Sequence, residues 1–98
     1  MTITKDVNGN GLTLMIDGRI DANTAPQLEA ELNNSLDGMA DLTLDLKNLT
    51  YISSAGLRVL LVAQKQMMKQ GAMRVINVCE AVMDVFEMTG FADILTIE

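Results

Sequence analysis

A single α/β domain with a mixed, mostly parallel β-sheet of about five strands and about three helices is the architecture this sequence predicts. Its 98 residues suffice for one domain and one core. Two β-prone segments separated by Asn8-Gly9-Asn10-Gly11 open the chain, and Asn-Gly is a strong hairpin signal. After them helical and strand periodicities alternate, an order that implies right-handed crossovers between parallel strands.

The hairpin strands are expected over 2–7 and 12–16, the second running on toward Ile20. Thr24 with Gln27 three positions later has the form of a capping box, and Pro26 suits a first helical turn, where its missing N–H costs nothing. Ala25, Leu28, Leu32 and Leu36 then make one apolar stripe that ends at Asp37-Gly38. Leu42, Leu44 and Leu46 alternate with polar residues, the period of a strand. Residues 48–52 read as a connector into a second helix, with Leu57, Leu60, Leu61, Gln64 and Met68 on one face and Gly71 at its end. A strand over 73–78, a helix over 80–89 with Val82, Val85, Phe86 and Thr89 on one side, and a last strand over 94–97 complete the chain. Six of the eight methionines (Met15, Met67, Met68, Met73, Met83 and Met88) fall inside these elements, and most are assigned to a core poor in aromatic residues.

Composition excludes several functions. A net charge of −6 repels a phosphate backbone, so nucleic acid is a poor partner. There is no His, hence no imidazole base or ligand, and Cys79 is alone, which rules out an internal disulfide and suits a reducing cytoplasm. No metal or other cofactor is expected. The longest apolar run, residues 59–63, is far shorter than the about 20 residues that cross a bilayer, and the first six residues do not form a signal peptide.

Chemistry concentrates where the connector meets the second helix, in Tyr51-Ile52-Ser53-Ser54-Ala55-Gly56-Leu57-Arg58. Serine at such a junction is a favoured N-cap. The same backbone N–H groups and the positive end of the helix dipole also stabilise an anion, including a phosphate attached to one of the serines. Gly56 permits a close approach by backbone or by a partner. A serine hydrolase is excluded for want of a nucleophile elbow and a base for Ser54, and no phosphate-binding Gly-x-x-x-x-Gly-Lys loop is present.

Ser53-Ser54-Ala55-Gly56-Leu57-Arg58-Val59-Leu60-Leu61 resembles the signature of stand-alone STAS domains, the bacterial anti-sigma factor antagonists. Three further stretches resemble the family in the same order: Gly18-Arg19-Ile20-Asp21-Ala22-Asn23-Thr24-Ala25, Leu42-Thr43-Leu44-Asp45-Leu46 and Val85-Phe86-Glu87-Met88-Thr89-Gly90-Phe91. The resemblance implies a non-enzymatic switch. A partner that is both anti-sigma factor and ATP-holding serine kinase phosphorylates a Ser or Thr at the start of the second helix. The unphosphorylated form binds that partner and frees a sigma factor, and a phosphatase of the PP2C type resets the system. The family's usual Asp-Ser-Ser-Gly-Leu has its acceptor where this chain has Ala55, so the acceptor here is expected at Ser54, with Ser53 second. Asp21, Asn23, Ser53, Ser54, Gly56 and Arg58 are the expected partner-binding residues; for Asp21 and Asn23, loop polarity and capping are an equal alternative. Other STAS roles compete: a stressosome scaffold subunit, or the small partner of a lipid-transporting ABC system.

Overall fold

The computed structural model describes all of residues 1–98. Strands β1 (Thr2–Asn8) and β2 (Gly11–Ile20) form the antiparallel hairpin. Its turn is Gly9-Asn10, with positive φ at Gly9 alone, rather than an Asn-Gly pair. Helix α1 (Ala25–Ser35), strands β3 (Asp41–Asp45) and β4 (Leu49–Ile52), helix α2 (Ser54–Gln70), strand β5 (Ala72–Ile76) and helices α3 (Glu80–Thr89) and α4 (Phe91–Ile94) follow. The five strands form one sheet in the order β1-β2-β3-β5, with β4 also on β2, and every pairing except the hairpin is parallel.

β2 is the organising strand because its 10 residues are twice the 5 of β3 and so leave room for a second partner. Its first half pairs with β3, from Gly11 opposite Asp41 to Met15 opposite Asp45. A register shift at Gly18/Arg19 then passes its second half to β4, from Gly18 opposite Leu49 to Ile20 opposite Ile52. β3 and β4 are thus successive pieces of chain laid along one edge of β2. The expected connector over 48–52 is in part this strand: Leu49 and Ile52 are buried while Thr50 and Tyr51 face solvent, a pattern without period two.

Alternation puts Leu12, Leu14 and Ile16, then Leu42, Leu44 and Leu46, then Met73 and Val75 on one face. The α1 stripe Ala25, Leu28, Leu32 and Leu36 and the α3 pair Val82 and Phe86 bury with them in a single cluster of 23 residues. The opposite sheet face carries no helix and is polar. There Arg74 donates to Thr43 Oγ1 at 3.1 Å, beside Asp6, Thr13 and Asp41.

Four further expectations are corrected. α2 buries Gly56, Leu57, Val59, Leu60, Ala63 and Met67, so its inward face is turned from the expected one: Leu61 and Gln64 are half-buried and Met68 is 72% exposed. Of the six methionines only Met67 and Met73 are buried; Met83 packs at the core's margin, and Met15, Met68 and Met88 are exposed, because each sits on the outward face of its element. The strand expected over 94–97 is the end of α4 followed by a single bridge between Ile97 and Val75, since Leu95 N–H bonds back to Phe91 O and closes a helical turn. β5 stops at Ile76 rather than Val78, because Asn77 takes a φ of 58°, a left-handed value that Asn tolerates better than most residues. No helix is long and apolar enough to cross a membrane.

Candidate functional site

β2 and β4 are parallel and in register at Ile20 and Ile52, so they leave the sheet at the same end. β2 runs into a loop over residues 21–24 and then α1; β4 runs through Ser53 directly into α2. Ser53 N–H donates to Ile20 O at 2.8 Å and binds the two exits together. Two helix N-termini therefore start side by side.

The loop is fixed by its own polar groups. Asp21 Oδ1 accepts the N–H of Asn23 at 2.9 Å and of Thr24 at 3.0 Å. Thr24 Oγ1 accepts Asp21 N–H at 2.9 Å and donates to Arg19 O at 2.9 Å. With its hydroxyl committed to the loop, Thr24 does not close the expected capping box with Gln27, although it is the N-cap residue and Pro26 occupies the first turn. The N–H groups of Thr24 and then Asn23 hold the Asp21 carboxyl below its ordinary value, and the Arg19 charge adds to this. Asp21 is a loop-former with its carboxylate occupied, while Asn23 beside it is exposed.

The two serines differ. Ser53, in extended conformation, is the N-cap of α2: its Oγ accepts Gly56 N–H at 3.4 Å and it is half-buried. Ser54, the first helical residue, is exposed. Gly56 stands apart from the other expected contact residues because it is buried. A Cβ there would lie 2.6 Å from Ile20 Cγ2 and 2.8 Å from Ile52 Cγ1, so the close approach it permits is that of α2 to β2 and β4. Arg58 is exposed on the next turn. With Ala22, Ala25, Pro26, Glu29 and Ala55 it lines a shallow groove of about 170 Å³ between the two helix starts. The fold thus gathers Asp21, Asn23, Ser53, Ser54 and Arg58 at one end, with Gly56 beneath them.

Sequence reading missed one pair at this end. The Arg19 guanidinium lies 4.3 Å from the centroid of the Tyr51 ring, and both residues are exposed. Each stands one position before a residue that enters the site region, Ile20 and Ile52, a parallel that only the β2–β4 register makes meaningful. No group of three or more His, Cys, Asp or Glu side chains is placed to hold a metal ion.

A mixed sheet with its helices on one face, and a loop and a serine-led helix meeting at one end, define an α/β domain of the STAS kind. The chain matches the STAS domain over residues 2–98 and belongs to that family. Two relatives are similar along nearly the whole chain. BtrV of Bordetella bronchiseptica, provisionally named an anti-sigma factor antagonist, is 39% identical over 99% of this chain and 85% of that protein. The anti-sigma-B factor antagonist of Bacillus subtilis is 36% identical over 99% of this chain and 92% of that protein. Among solved structures, an anti-sigma factor antagonist from Mycobacterium paratuberculosis matches with a TM-score of 0.88 at 23% identity, over 98% of this chain and 83% of that one, which shows a shared fold.

Proposed function

We propose that this chain is an anti-sigma factor antagonist whose docking is switched by phosphorylation of Ser54. The observation that supports it best is the division of labour at the start of α2: Ser53 is held as the cap, and Ser54 is exposed. The relatives' names support the role of antagonist. In this reading the partner is an anti-sigma factor that is also a serine kinase and holds the ATP. Ser54 Oγ bonds to the γ-phosphorus as the bond to ADP breaks, and the hydroxyl proton passes to a base of the partner. A PP2C-type phosphatase returns the free hydroxyl, and the exchange takes place in the cytoplasm with no catalytic group on this chain.

The physics of the switch lies in what each side does with the new charge. A phosphoserine carries about −1.5 to −2 charges at pH 7. At Ser54 it sits at a helix N-terminus, where the dipole tolerates it. A partner that docks over Ser54 must desolvate the same group, which costs several kcal/mol when uncompensated, and about 1.4 kcal/mol weakens binding tenfold.

Incubation with the kinase and ATP should add one phosphate, mapped to Ser54 by mass spectrometry. Ser54→Ala should block it and still bind the kinase, whereas Ser54→Asp should bind far more weakly with near-wild-type melting. Phosphate on Ser53 instead would reassign the acceptor. No phosphate on either serine, with tight binding kept in Ser54→Asp, would leave a scaffold or transporter-associated role.

A further inference from the structure

Ser54 and Arg58 are both exposed and stand four residues apart on α2. Residues at that spacing share a helix face, with Cβ atoms about 5–6 Å apart. The Cα–Cβ bonds of a helix tilt toward its N-terminus, which brings the turn that begins with Ser54 within reach of the Arg58 side chain, whose place in the unmodified chain is the groove beside Ala55. The intervening residues do not obstruct it: Ala55 is small and lines the same groove as Arg58, and Gly56 and Leu57 are buried. An anion at the N-terminal position with a cation four residues later is also the favourable order for such a pair.

We propose that Arg58 is an internal receptor for the phosphoryl group of Ser54, so that phosphorylation also offsets the positive charge this arginine otherwise shows on the partner-facing surface. The inference rests on Ser54 being the acceptor. A guanidinium presents two parallel N–H donors that match two phosphate oxygens. The other charged groups around it compete less well. Glu29 of α1 shares the groove and carries one negative charge against the phosphate's nearly two. The Asp21 carboxylate already accepts two loop N–H groups, and the Arg19 guanidinium lies over Tyr51. Lys65 and Lys69 are further along α2 by about two turns or more. The unphosphorylated surface therefore presents Arg58 as a cation, and the phosphorylated one presents a net negative pair.

The test uses full-length chain carrying phosphoserine at position 54, incorporated during translation so that no kinase is needed. The second ionisation of the phosphate is followed by ³¹P NMR. Its pKa should rise by roughly 0.2–0.4 pH units in Arg58→Ala, the i,i+4 pair energy converted at about 1.36 kcal/mol per unit. Arg58→Lys should recover part of the difference, and molar salt should shrink it. Identical titrations with and without the Arg58→Ala substitution, or a rise that follows Arg19→Ala instead, would overturn the assignment. Because the titration involves no kinase, its failure leaves the acceptor assignment standing, and a failed kinase assay leaves the titration readable.

Discussion

The two serines that open α2 should separate cleanly in stability measurements. Ser53→Ala removes the acceptor for Gly56 N–H and should cost about 0.5–2 kcal/mol in urea unfolding, whereas Ser54→Ala should stay within about 0.5 kcal/mol. Equal losses would show that Ser54 has a structural duty and would weaken it as the modified residue. Asp21 makes a second residue-scale prediction. The loop N–H groups of Thr24 and Asn23 hold its folded carboxyl below the ordinary carboxylate value, so the folded state binds fewer protons there than the unfolded one. The sign follows: its contribution is complete above the ordinary carboxylate value and is lost as pH falls through the lowered one. Asp21→Asn should therefore flatten the acid limb of the stability profile relative to wild type; parallel limbs would mean that the loop bonds do not act as described.

At the scale of elements, two glycines set how closely α2 sits on its surroundings. An alanine at Gly56 would press on the branch carbons of the buried Ile20 and Ile52, so Gly56→Ala should cost about 1–3 kcal/mol. At Gly71 the φ of 169° is ordinary extended backbone, but a Cβ would run into the Ala40 carbonyl oxygen, which Ala72 N–H already holds at 2.9 Å. Gly71→Ala should thus be the more damaging of the two, and the reverse order in urea midpoints would refute this account of the packing. Elements also mark where the sequence was readable. The α1 stripe and the Leu42, Leu44 and Leu46 alternation are local patterns, and each fell where its period placed it. β4 was not legible, because four residues have too short a pattern and its strand character comes from pairing with the far half of β2. The start of α2 and its serines were legible from the motif; the Arg19–Tyr51 contact was not, since it depends on a register shift that no local pattern announces.

For the whole molecule, one core cluster of 23 residues implies one cooperative unit. Tyr51 is the only tyrosine and there is no tryptophan, so its fluorescence reports β4 and the adjoining site alone. Urea transitions followed by that fluorescence and by far-ultraviolet circular dichroism should coincide; an earlier fluorescence transition would reveal a site that melts apart from the core. The same unit should show no ATP hydrolysis by itself, and turnover abolished by Ser54→Ala would contradict the proposed division of roles with the kinase.

The register that sets Ile20 opposite Ile52 joins positions thirty-two residues apart, and the hydrogen bond from Ser53 to Ile20 depends on it. A nascent, cleaved or misfolded copy can expose Ser54 without presenting the Asp21–Thr24 loop beside it. A partner that needs both legs of the site would be blind to such copies. Recognition of that kind would count only molecules in which the register has formed.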